Sequence, residues 1–163
     1  MSVLLHVTTS VAWLGAVGVF LALAVTGLVA GAEVLGRSAY AVMGVIGWWV
    51  IVPLCVASLV TGIVSAVCTP WGLIRYYWVI IKLLITVIAT ALLLLHMGPI
   101  DRIAHLATSA DWSSTASPGL RVQLIVQSAA AVFALLLATG LSVYKPRGQT
   151  RFRRLRAADA REG

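Results

Sequence analysis

Charged side chains are scarce in this sequence: they make up 10% of its 163 residues, against 61% apolar ones. A soluble domain carries roughly 25% charged residues, so the shortage excludes an ordinary globular enzyme, a disordered chain and a coiled coil. Carboxylates are scarcer still: there are five, and none lies inside a long apolar run. That argues against a proton-coupled carrier built on a membrane-embedded Asp or Glu, and against a carboxylate-lined cation filter. The only cysteines are Cys55 and Cys68, thirteen residues apart. On one helix that separation is ~20 Å, beyond disulfide reach, and both read as small apolar fillers without a redox role. Gly-rich phosphate loops, Cys-x-x-Cys, His-Glu-x-x-His and Gly-x-Ser-x-Gly are all missing, so no catalytic motif stands out.

What is present is a set of long apolar runs. They predict four membrane-spanning helices over about 7–30, 40–67, 78–97 and 120–144, each as long as a bilayer crossing requires. Gly27-x-x-x-Gly31 and Ala12-x-x-x-Ala16 give the first span flat patches for close helix approach. Pro53 removes a backbone donor inside the second span and predicts a kink near Trp49. Pro70 and Gly72 mark a turn, surrounded by Trp71, Tyr76, Tyr77 and Trp78, aromatics that favour the headgroup layer. Ile100, Ile103, Ala104 and Ala107 recur at helical spacing and predict a short amphipathic helix on the membrane surface in the outer loop. After a loop over Asp111–Thr115, Ser117-Pro118 reads as the cap and first position of the fourth span. The expected fold is therefore all-α: a four-transmembrane-helix up-down bundle over residues 1–145, followed by a basic tail over 146–163.

Charge asymmetry orients it. Seven of the twelve Lys and Arg residues lie in the last nineteen positions. With Arg75 and Lys82 they make nine on the side of the termini, against Arg37, Arg102 and Arg121 on the other. The positive-inside rule then places both termini in the cytoplasm of a bacterial plasma membrane. The tail is a topology determinant with affinity for anionic lipid headgroups, not a nucleic-acid domain.

Polar side chains are costly in a membrane, so they point to function. His6, Thr9, Ser10 and Trp13 form one stripe on the first helix; Ser58, Thr61, Gly62 and Ser65 form another on the second. On the third, Lys82, Thr86, Ala89, Leu93 and His96 share a face, and on the fourth Gln123, Gln127, Ala130, Ala134 and Ala138 do. Sorted by depth, they predict an inner ligand-binding cluster of His6, Ser10, Trp13, Ser58, Thr61, Ser65 and Lys82. An outer cluster of His96, Asp101, Gln123 and Gln127 is expected near the opposite surface. His6 and His96 would then be about 30 Å apart, too far to share one metal ion. The simpler alternatives are that Lys82 snorkels to the headgroups, that His6 and His96 are interfacial, and that the Ser/Thr stripes only glue helices together.

Leu5-His6-Val7 followed by Trp13-Leu14-Gly15 resembles the opening helix of copper-resistance D-type domains and of the four-helix, haem-associated protoporphyrinogen oxidases. That resemblance implies a haem or metal role for His6. The sequence departs from the haem pattern in lacking a second His on the same side. It departs from the copper pattern in having only Met1, Met43 and Met97. A longer stretch resembles four-helix integral membrane proteins of actinobacteria that have no known activity. It comprises Ser58-Leu59-Val60-Thr61-Gly62, Thr69-Pro70-Trp71-Gly72-Leu73, Tyr77-Trp78-Val79 and Lys82. The functional expectation is a non-enzymatic, partner-binding or homo-oligomeric membrane subunit. The competing expectations are a haem- or metal-associated redox protein using His6, and a small-solute carrier or channel lined by the inner Ser/Thr/Lys82 cluster.

Overall fold

The computed structural model describes residues 2–68, 77–109, 112 and 118–144. The turn at Pro70–Gly72 with Trp71 and Tyr76, Asp111, residues 113–117 and the tail from Lys145 onward lie outside the described residues. The helices are α1 (Ser2–Val29), α2 (Glu33–Ile46), a π-helical turn (Gly47–Ile51), α3 (Val52–Cys68), α4 (Tyr77–Thr108) and α5 (Pro118–Tyr144). α2, the π turn and α3 form one continuous rod. Four rods are thus long and apolar enough to cross a bilayer: Ser2–Val29, Glu33–Val67, Val79–Thr108 and Pro118–Ser142. The chain is a multi-pass membrane protein with an all-α four-helix bundle, and large apolar side chains such as Leu4, Val60, Leu95 and Phe133 cover its outside. α1 packs on α2, α3 and α5, and α4 packs on the same three, so α1 and α4 stand diagonally across the bundle.

The irregularity expected from Pro53 is a π turn. Pro53 has no N–H, so the carbonyl of Trp49 loses its usual donor four residues on. Just before it the ladder widens, and the Val52 N–H donates to the Gly47 carbonyl five residues back.

Two boundaries differ from the sequence reading. The connection after α1 is short, and helix resumes at Glu33, seven residues before the expected Tyr40. The reason is tertiary: Arg37 donates from Nε to the Ala107 carbonyl at 2.8 Å and from an Nη to the Ser109 carbonyl at 2.6 Å. The guanidinium thereby satisfies carbonyls at the end of α4 that the helix itself leaves open. The predicted amphipathic segment after Met97 is helical, but it is the continuation of α4 through Gly98-Pro99. Its apolar face, Ile100, Ile103 and Ala107, is buried within the bundle, and the Ala104 methyl sits against Gly44 of α2. The free energy of that packing outweighs the one hydrogen bond that Pro99 removes, so the helix does not end where the Gly-Pro signal suggests.

At this end of the bundle Tyr40, wholly buried, and Trp112 hold ring centroids 5.7 Å apart, and the Arg121 guanidinium lies 4.7 Å from the Trp112 ring. Gly27 makes room for Tyr40: a Cβ there would fall 2.5 Å from the Tyr40 Cζ, whereas a Cβ at Gly31 would meet nothing within 4 Å. Only one glycine of the Gly27-x-x-x-Gly31 pair is therefore used inside the chain. Gly27→Ala is expected to destabilise the bundle by roughly 1–3 kcal/mol through overpacking, and Gly31→Ala to leave it unchanged. Denaturation midpoints in detergent micelles check both.

Candidate functional site

The polar stripes of α1 and α3 meet at the end of the bundle that carries the N-terminus. A serine hydroxyl on α1, Ser10, pairs with that of Ser58 at 2.9 Å, and Thr9 with Thr61 at 3.1 Å. The His6 Nδ1 lies 3.1 Å from the Ser58 carbonyl and 3.3 Å from the Thr61 hydroxyl. A carbonyl can only accept, so Nδ1 carries the proton and donates, which leaves the lone pair on Nε2. Lys82 fills that position: its Nζ donates to His6 Nε2 at 3.2 Å and to the Ser142 hydroxyl at 2.6 Å. The long lysine side chain thus reaches from α4 across the diagonal to α1 and touches α5 on the way. Lys82 is half-buried, and its amine is turned toward α1 and α5.

Local sequence sets up each part. Gly62 has no side chain, which lets the imidazole lie against the α3 backbone; a Cβ there would stand 3.0 Å from the His6 Cε1. Thr86, one turn beyond Lys82, returns its hydroxyl to the Lys82 carbonyl at 2.9 Å. Gly62→Ala is expected to displace the His6 ring from Lys82 with little loss of stability. A change in the ring 15N chemical shifts, with the melting midpoint held, is the expected result.

An ammonium has three N–H donors, and Lys82 uses two among the described residues. The two described carboxylates, Glu33 and Asp101, belong to the opposite end of the bundle; Glu33 pairs with Arg37 and Asp101 accepts from Trp48. The amine faces a small cavity of about 80 Å³ lined by His6, Ser10, Trp13, Ser58, Lys82 and Thr86 among others. Next to it, in the middle of the bundle, lies an apolar cavity of about 380 Å³ between α1, the π turn, α4 and α5. Trp13 and Leu135 line both. Trp13 is 3% exposed, and its Nε1 has no hydrogen-bond partner.

The structure brings together His6, Ser10, Ser58, Thr61 and Lys82, with Trp13 at the inner wall. Ser65 is buried but stands apart, its hydroxyl without a partner among the described residues. Ser142 was not among the predicted residues. The small-residue face of the last span, Ala130, Ala134 and Ala138, reaches it when extended by one turn, which is the signal that could have found it.

The outer cluster does not form. Asp101 accepts a hydrogen bond from the Trp48 Nε1 at 2.8 Å on the α2–α4 surface, and Gln123 is exposed. His96 Nδ1 turns back to the Leu92 carbonyl at 2.6 Å, and His96 and Gln127 line the apolar cavity. The reason is the uninterrupted α4. Past Met97 it carries Asp101 up along α2, away from α5, instead of folding it over the bundle mouth.

No family model matches the chain, and neither a curated protein nor a solved structure matches it.

Proposed function

We propose that this protein is a non-enzymatic membrane-embedded binding protein that takes an anionic group of a ligand or partner at Lys82. The observation behind this reading is the Lys82 amine. It is held inward by Ser142 and His6, faces a cavity, and has no carboxylate beside it among the described residues. An ammonium held partly out of water is disfavoured until a negative charge answers it, and a bound anion would supply one. The excess of Lys and Arg on the side of the termini supports a cytoplasmic opening in a bacterial plasma membrane. It also supports a tail that holds anionic lipid.

Haem ligation by His6 is the weaker reading, because both ring nitrogens are engaged. An iron at Nε2 would have to expel the Lys82 amine. Among the described residues no three His, Cys, Asp or Glu side chains gather as a metal site. Purified protein supplied with haem is expected to show no stoichiometric Soret band, and a one-to-one band lost in His6→Ala would reverse this preference.

Butanoate is a suitable probe for the anion site. Titrated into the detergent-solubilised protein, it is expected to shift the His6 ring 15N resonances saturably, while butanol does not. The absence of a saturable shift, or the same shift in Lys82→Met, would overturn the proposal.

A further inference from the structure

The contact between Lys82 and His6 depends on a single lone pair. His6 Nδ1 lies against the Ser58 carbonyl, which only accepts, so the ring proton sits there and Nε2 accepts from Lys82 Nζ at 3.2 Å. An imidazolium carries a proton on both nitrogens and has no acceptor left. A second proton on His6 would therefore break the contact with Lys82 and set two like charges 3.2 Å apart. The two groups titrate as a pair, and repulsion opposes its second charge while nothing negative is near.

Among the described residues, no other charged group faces the ring. α3 presents Ser58, Thr61 and Gly62, α5 reaches Lys82 with Ser142, and α1 itself adds Thr9 and Ser10. None of these side chains titrates in the neutral range. Tyr77, before Lys82 on α4, is exposed, and α2 meets α1 at the far end, where Tyr40 covers Gly27.

A bound anion changes this balance. His6 and Lys82 both line the small cavity, so a negative group there is attracted to a charge on either and offsets the repulsion between the two. Once protonated, Nε2 becomes a second donor next to Nζ. One anion and one proton then enter with no change in net charge, which favours a site held partly out of water. The coupling is reciprocal: an anion that favours the proton is itself favoured by the proton.

We infer that the site takes its anion together with a proton, with His6 Nε2 receiving the proton and the protonated His6 joining Lys82 as a donor to the anion. The bound species is then the equivalent of a whole acid. This inference rests on the anion-binding reading and adds the proton to it.

The test is calorimetric titration of butanoate into the detergent-solubilised full chain at about pH 8 and about pH 5.5, which bracket the usual titration of an imidazole. The His6 ring 15N shifts are recorded with and without saturating butanoate. Affinity is expected to be at least about tenfold higher at the lower pH, because the complex holds a proton that the free protein lacks. Protonation of butanoate itself has the opposite sign, since it removes the anion. Saturation is expected to raise the doubly protonated fraction of the His6 ring. His6→Gln keeps an acceptor for Lys82 but takes up no proton, and its binding is expected to show no rise at the lower pH; if that variant does not fold, the ring measurement decides. Saturable binding of equal strength at both pH values, with the ring unchanged, would overturn this inference and leave the anion site standing. A rise without any change in the ring, or one retained in His6→Gln, would put the proton elsewhere and overturn it too. No saturable binding at either pH would overturn both.

Discussion

Tyr40→Ala is expected to destabilise the bundle by roughly 3–5 kcal/mol, the range for emptying a large aromatic site. Tyr40→Phe is expected to leave it nearly unchanged. Tyr40 is wholly buried, fills the space that Gly27 leaves, and packs against Trp112 and the Arg121 guanidinium. In lipid the cost does not come from exposing a ring to water, because the surroundings are already apolar. It comes from lost dispersion contacts around a rigid hole that the backbones of α1 and α2 cannot close. The hydroxyl adds little, because it has no hydrogen-bond partner among the described residues. Denaturation midpoints in mixed micelles measure both variants. A Phe variant that fell as far as the Ala variant would show that the hydroxyl, not the ring, holds this end together.

The second large effect belongs to Lys82. Lys82→Met is expected to weaken carboxylate binding at least about tenfold, since a hydrogen bond to a charged group contributes ~1.5–3 kcal/mol. It is also expected to raise the melting midpoint of the ligand-free protein. The sign of the second effect follows from the environment: methionine removes an ammonium that has no carboxylate beside it among the described residues and fills the same space with an apolar chain. Lys82→Arg is expected not to restore binding. A planar guanidinium with five donors does not fit where one amine touches Ser142 and His6. Calorimetric titration and thermal melting separate the two effects. If Arg substituted freely, or if Lys82→Met lost both binding and stability, Lys82 would be a structural strut and not a ligand-binding group.

The membrane class, the four spans and the inner polar stripes were determined by the sequence alone. Hydrophobic runs fix helix placement because an unpaired backbone group cannot be left in hydrocarbon. Stripes such as His6–Thr9–Ser10 and Ser58–Thr61–Gly62 can hide only by facing one another, so helical periodicity was enough to foresee their meeting. It put Lys82 on one face with Thr86 and left open whether the amine turned inward or reached for the headgroups. The tertiary structure decided what local signals could not. Gly98-Pro99 reads as a helix end, yet α4 continues because burial of Ile100 and Ile103 compensates for the missing donor. The same continuation carries Asp101 to Trp48 and dissolves the expected outer cluster. The partner that Ser142 provides for Lys82, the ring of Tyr40 over Gly27 and the paired cavities around Trp13 all join residues from different helices. Their existence depends on how four rods are rotated and offset against each other. Periodicity within one rod gives a face, and only packing between rods gives that face a neighbour.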